Sequence, residues 1–414
     1  MEVLYECCAG LDVHKKTVVA CRIVPDEGGS WQIVVRTFKT MTADLLSLAD
    51  WLREAKVTHV AMESTGVYWK PVFNVLESEF EVLLVNAKHI KFVPGRKTDV
   101  KDAQWIAQLL QHGLLKASYI PEVAQRELRE FVRYRSHLIN ERTREINRVH
   151  KVLEDANIKL SSVATDIMGV SGREMLTALI AGIEDPEALA QLSKGRMRSK
   201  IDDLEQALTG YVKANHRLLL TLHLEHIDDL NAKLDRLEEE IDRLIRPFDQ
   251  NDLIERLDTI PGVDKKTAQV IIAELGTDMS RFHSAGHAAS WAGLVPGRNE
   301  SAGRNRSSRT NKANRYLKAG LVQAAHAVGR SKKNYLSAQF GRLSSRRGKK
   351  RAAVAVAHSI LVIAYHIIKN GTEYVDLGDN YFDERKQEAI QKQLIRRLEK
   401  LGLKVIVEPL NDVA

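Results

Sequence analysis

Apolar runs that each fit one strand or one helix, in the order βββ-α-β-α-β-α, fill the first 111 residues and leave few folds open. Residues 3–13, 17–24 and 31–38 read as strands, the third following the turn-forming Asp26-Glu27-Gly28-Gly29-Ser30. A helix is expected over 42–54, with Leu45, Leu46, Leu48, Ala49 and Leu52 apolar. A strand at 59–63, a helix at 70–79, a strand at 81–86, a loop holding Pro94-Gly95 and a helix at 99–111 complete the series. Three hairpin-type strands followed by alternating units suit a mixed sheet flanked by helices.

Four acids punctuate this pattern. Asp12 ends the apolar stretch Ala9-Gly10-Leu11, and Glu63 ends Val60-Ala61-Met62. Asp99 and Asp102 open the helix at 99–111, three residues apart and therefore on one face. An unpaired carboxylate at the end of a buried strand costs several kcal/mol. In a ribonuclease-H-like sheet, acids on the first and fourth strands meet a helix presenting further acids. Two Mg²⁺ ions about 4 Å apart would account for all four and suit displacement at phosphorus. Taken singly, Asp99 and Asp102 could be helix-capping acids and Asp12 and Glu63 surface strand ends. His14 could orient a water or mark a turn, and Tyr68 and Trp69 could stack on a base or pack.

Residues 298–351 hold sixteen Lys/Arg and one acid, a local +15 that leaves about −7 for the rest of a chain whose total is +8. Such a block is expected to face a polyanion. Within it, Arg298, Arg304, Arg306, Arg309, Lys312, Arg315 and Lys318 are candidate phosphate contacts. Ser301 sits there in the Gly-flanked stretch Gly297-Arg298-Asn299-Glu300-Ser301-Ala302-Gly303-Arg304. Its hydroxyl could attack phosphorus, with Ser307 and Ser308 as rivals on composition. Cys7, Cys8 and Cys21 lack zinc spacing and read as reduced core thiols of a cytosolic protein. Nothing at the N-terminus reads as a signal peptide, and no run of about 18 apolar residues suggests a membrane span.

Between these ends the chain reads as helical. Residues 121–160 form an Arg-rich helix, and 163–199 are weakly patterned. Ile227, Leu230, Leu234, Leu237, Ile241 and Leu244 make a coiled-coil seam stopped by Pro247, closed either by an earlier helix or by another copy. Leu257-Asp258-Thr259-Ile260-Pro261-Gly262-Val263 before Lys265 looks like a helix-hairpin-helix turn whose amides could hold a phosphate. Helices are expected near 285–292, 315–328, 351–368 and 384–400, and a strand at 404–408. The division expected is a catalytic domain at 1–158, a helical and coiled-coil oligomerisation region at 159–248, a mostly helical domain at 249–383 and a helical tail at 384–414.

The chain resembles the DEDD-type transposases of bacterial insertion sequences in the one-ten (IS-one-ten) family. The resemblance rests on Gly10-Leu11-Asp12-Val13-His14-Lys15, Glu63-Ser64-Thr65-Gly66-Val67-Tyr68 and Lys97-Thr98-Asp99-Val100-Lys101-Asp102-Ala103. Toward the C-terminus it rests on Ile260-Pro261-Gly262-Val263, Ala292-Gly293-Leu294-Val295-Pro296-Gly297, Glu300-Ser301-Ala302-Gly303 and Lys312-Ala313-Asn314-Arg315-Tyr316-Leu317. Ala313 stands where the family often has glycine. The resemblance implies a RuvC-like (ribonuclease-H-fold) domain, a coiled coil and a transposase domain. It implies Mg²⁺ on Asp12, Glu63, Asp99 and Asp102, and a 5′-phosphoserine intermediate on Ser301. It further implies DNA partners, a structured bridge RNA as guide, and a tetramer assembled from dimers whose site joins one protomer's carboxylates to another's serine. A cytoplasmic, nucleoid-associated protein is expected. Two other readings compete: a structure-selective DNA endonuclease using metal-activated water, and a basic scaffold whose acids only cap helices.

Overall fold

The computed structural model describes residues 2–26, 28–64, 66–86, 99–297, 300–301, 304–305, 309–311, 313–385 and 387–406, and the side chains of Asp99, Ser301 and Arg304 are not among those described. The chain divides into two compact units, Met1–Pro121 and Glu122–Ala414.

The first unit holds strands β1 (Cys8–Val13), β2 (Thr17–Pro25) and β3 (Trp31–Lys39), helix α1 (Thr42–Glu54), strand β4 (His59–Glu63), helix α2 (Trp69–Leu76), strand β5 (Glu81–Val85) and helix α3 (Asp99–Gln111). The sheet order is β3-β2-β1-β4-β5. β1–β2 and β2–β3 are antiparallel, and β1–β4 and β4–β5 parallel. Strand alternation divides the buried residues into two layers. Ala9, Leu11, Val13, Val60 and Met62 pack with residues of α1 and α2, whereas Cys8, Cys21, Ala61 and Val85 pack with Ala103, Ile106, Ala107 and Leu110 of α3. The first strand starts at Cys8 rather than residue 3, because the Leu4 and Tyr5 amides donate instead to the Gln111 carbonyl at the end of α3.

The second unit begins with α4 (Val123–Asp155). Four short helices follow, α5 (Leu160–Val163), α6 (Val170–Ile180), α7 (Pro186–Gln191) and α8 (Ile201–Leu208), and then α9 (Ala214–Ile245). α9 runs antiparallel to α4, since Arg135 pairs with Glu238, Arg142 with Asn231 and Glu145 with His223. Leu230, Leu234, Leu237 and Ile241 share a core with Leu128, Val132 and Leu138 of α4. The coiled-coil seam is therefore closed within the chain. The compact units part at Pro121, so α4, the helix expected to trail the catalytic domain up to 158, packs its Leu128 and Val132 face into the core that also holds α11.

Beyond Pro247 come α10 (Leu253–Asp258), α11 (Lys265–Leu275), α12 (Ala285–Trp291), the two-residue strands β6 (Glu300–Ser301) and β7 (Arg304–Asn305), α13 (Arg315–Val328), α14 (Tyr335–Arg347), α15 (Lys349–Asn370), α16 (Tyr381–Glu384) and α17 (Gln387–Glu399). By length and composition α15 could cross a membrane, yet Ala353, Val356, Ile360, Leu361 and Ala364 along it are core residues. It is a buried helix of this unit. α10 and α11 frame the helix-hairpin-helix-like turn, but the Asp264 carboxylate accepts from the Thr267 amide at 2.8 Å. An anion already occupies a donor that a phosphate would need there. Residues 404–406 form no strand, and 407–408 lie outside the described residues.

Candidate active site

β1 and β4 pair in parallel with Gly10 opposite Ala61 and Leu11 opposite Met62, so the next step brings Asp12 level with Glu63. Both acids share the strand parity of Cys8 and Ala61, whose side chains face α3. Cys8 Sγ lies 3.6 Å from the Ala107 carbonyl. A Cβ built on Gly10 would fall 2.3 Å from the Ala107 nitrogen and 2.4 Å from the Ala103 oxygen. Moving up β1 thus means moving back along α3, from Ala107 to Ala103. The helix's first turn, with Asp99 and Asp102, is consequently at the sheet end where Asp12 and Glu63 stand. Glycine at position 10 is what lets the helix backbone come so close.

The Asp12 side chain is 15% exposed and its Oδ2 lies 3.1 Å from His14 Nε2. His14 also closes the β1–β2 turn, its amide donating to the Thr17 carbonyl, so it both marks the turn and reaches the acid. Glu63 and Asp102 are half-buried. Among the described residues, no three His, Cys, Asp or Glu side chains are drawn into a ligand cluster. The donors themselves are hard carboxylate oxygens, the set that suits Mg²⁺ rather than zinc. Trp69 packs edge-on against Phe73 at 5.7 Å, a structural role, whereas Tyr68 is exposed.

In the second unit, Ser301 sits on a small hairpin. Pro296 bridges Thr310, the Gly297 amide donates to the Arg309 carbonyl at 2.8 Å, Glu300 pairs with Asn305 and Ser301 with Arg304. Ser301 is thus the last described residue of β6 to pair with β7. Arg298, Arg306, Lys312, Ser307 and Ser308 lie outside the described residues. Arg309 and Arg315 are exposed. Arg315 lies over the Tyr316 ring at 4.8 Å and donates to its hydroxyl at 2.7 Å. Lys318 is turned inward, its ammonium on Thr310 Oγ1.

Residues 9–158 match the model of a transposase family of the DEDD type, and residues 254–341 match the family described as Transposase IS116/IS110/IS902. The two matches, in order, take in over half of the chain. The chain belongs to the IS110 family of transposases. This transposase is 26% identical over 372 residues to the transposase for insertion sequence element IS1111A of Coxiella burnetii, covering 88% of this chain and 90% of that one. It is 25% identical over 379 residues to the pilin gene-inverting protein of Moraxella bovis, covering 88% and 96%, and equally to that of Moraxella lacunata. It is an enzyme that cleaves and rejoins DNA.

Glu274 of the transposase escaped the sequence reading. It is fully buried on α11 and receives Arg133 Nε at 2.7 Å, Arg133 Nη2 at 2.8 Å and Asn314 Nδ2 at 2.6 Å. Arg129 donates to the Glu274 main-chain carbonyl at 2.7 Å, and burial pulls its guanidinium down to about 10. Ala273-Glu274-Leu275 looks like any helical acid. The available signal was on α4, where Arg129 and Arg133 stand one turn apart on a face that also carries Leu128 and Val132.

Proposed function

We propose that the transposase cuts donor and target DNA through a covalent serine ester and rejoins the strands, with carboxylate-held Mg²⁺ and a bridge RNA as guide. The carrying observation is the sheet: the order β3-β2-β1-β4-β5, with Asp12 and Glu63 level on adjacent parallel strands and Asp102 at the near end of α3. That topology supports a ribonuclease-H-like, RuvC-type catalytic unit. Asp12, Glu63, Asp99 and Asp102 would hold the metal, which when bound supplies charge neutralisation at the phosphate.

Ser301 Oγ attacks the scissile phosphorus, forming the Oγ–P bond as the bond to the 3′ oxygen breaks. The serine proton leaves to solvent and the 3′ oxygen departs as a hydroxyl. In rejoining, a 3′-hydroxyl attacks the same phosphorus and the serine oxygen is released and reprotonated. The gene-inverting relatives support this conservation of bond energy, since inversion demands that each cut end be resealed. His14 fixes one oxygen of Asp12. Basic residues such as Arg309 and Arg315 would hold the backbone while RNA pairing reads sequence. Resemblance to the family supports the RNA guide, a tetramer assembled from dimers and a site shared between protomers.

The test is a denaturing gel of the full chain with plasmid carrying the element and its flanks, Mg²⁺ and the flanking transcript. Wild-type protein should give a protein–DNA adduct that Ser301→Ala abolishes. Cleavage by Ser301→Ala at the wild-type rate would instead assign the nucleophile to water.

A further inference from the structure

The buried carboxylate of Glu274 has no role in the chemistry above, yet it touches the foot of the Ser301 hairpin. Its two oxygens only accept hydrogen bonds, so the Asn314 side chain must present its NH₂ group to Glu274. That leaves Asn314 Oδ1 facing the other way, where it accepts from the Tyr316 and Leu317 amides at 3.1 Å each and caps α13. A carboxylate thus dictates the orientation of an amide that, left alone, could flip.

Asn314 is also where the returning leg of the hairpin lands. Upstream of it, that leg is stitched to the outgoing one by the Pro296–Thr310 bridge and by the Gly297–Arg309 hydrogen bond. Gly293 packs so tightly that a Cβ there would fall 2.9 Å from both Ala313 Cβ and the Asn311 oxygen. Lys318, one turn into α13, holds Thr310. Arg133 carries the chain of contacts back to α4, and its guanidinium also lies over the Tyr316 ring at 4.8 Å. Arg133 and His137 also reach Tyr316 directly, but the hydrogen bonds that set the Asn314 cap itself run through Glu274.

We propose that Glu274 is a positioning residue for Ser301: through Asn314 it fixes the start of α13 and with it the foot of the serine hairpin. This rests on Ser301 being the nucleophile. Glu274 is fully buried within its unit and out of reach of a DNA backbone, so its loss acts on attack geometry and not on substrate affinity.

Three full-length variants test this: Glu274→Gln, Asn314→Ala, and Glu274→Gln combined with Asn314→Asp. The combined variant reverses donor and acceptor, since a glutamine amide can donate to an aspartate that still caps α13. Asn314→Ala leaves the Arg133–Glu274 pair intact and covers the case in which Glu274→Gln does not fold. In native hydrogen exchange, both single changes should speed exchange across 297–311 and 314–318 by about tenfold. They should slow adduct formation about tenfold or more, with KM for DNA within about twofold. The reversed pair should recover to within about threefold of wild type.

Adduct formation by wild type and by Asn314→Ala at equal rates sinks this inference alone, as does failure of the reversed pair to recover while it remains folded. Absence of an adduct with wild-type protein sinks the serine reading, and this inference with it.

Discussion

A buried polar group survives in a fold when something offsets its lost hydration, and different residues of this chain are offset differently. Glu274 is answered by two arginines and an asparagine within the unit. Asp12 has His14 at 3.1 Å and shares its sheet end with three further acids, an arrangement that gathers negative charge. Replacing Asp12 or Asp102 by Asn, or Glu63 by Gln, should abolish adduct formation, a loss of several kcal/mol or about a thousandfold. The melting temperature should stay unchanged or rise as repulsion is relieved. A melting temperature that falls together with activity would mark these acids as structural. The thiols give a second expectation. Burial pushes Cys8 up to about 12 and Cys21 to about 11 from an ordinary 9.0. The folded state then holds protons that the unfolded chain releases. Their contribution is complete below about pH 9 and is lost as pH rises toward 12. Iodoacetamide at pH 8 should label half-buried Cys7 and spare Cys8 and Cys21 until the protein unfolds, as read by mass spectrometry.

At the scale of elements, two contacts matter most. Gly10 lets α3 rest on β1, and a Gly10→Ala methyl would meet backbone atoms at 2.3 and 2.4 Å that cannot swing aside. Thermal melts should show a loss of about 1–3 kcal/mol or more, and activity should fall further than stability because α3 carries Asp102 away from Asp12. The other contact is the α4–α9 hairpin. Leu234→Ala or Leu237→Ala should cost about 2–5 kcal/mol in unfolding and leave the oligomeric state by light scattering unchanged. Dissociation into smaller species without loss of stability would return the seam to a subunit interface. These elements also show what a sequence can disclose. Helix α3 was legible to the residue, because two acids precede a regular apolar stripe, and so was the place of Asp12 and Glu63 toward the ends of their strands. The partner of the α9 seam was not, since leucines at heptad spacing describe a surface and do not name what covers it. Glu274 was hidden for the same reason: its meaning lies in Arg133, 141 positions away in the chain.

For the whole molecule, charge is the property that sequence alone misjudges. The +15 of residues 298–351 counts every cation equally, but the structure sorts the described ones by what they already hold. Lys318 is committed to Thr310 and half-buried. Arg315 is exposed and its guanidinium is steadied by the Tyr316 ring and hydroxyl, with N–H groups left for a phosphate. Each phosphate neutralised by a side chain contributes about 0.9 to the slope of log affinity against log salt. Arg315→Ala should therefore lower that slope by about one for duplex DNA of any sequence. Lys318→Ala should leave the slope unchanged, even though it loosens the hairpin and slows the reaction. Fluorescence anisotropy across a salt series separates the two. Equal losses of slope from both variants would mean that Lys318 leaves Thr310 for DNA, and that the inward hydrogen bond describes the resting protein alone.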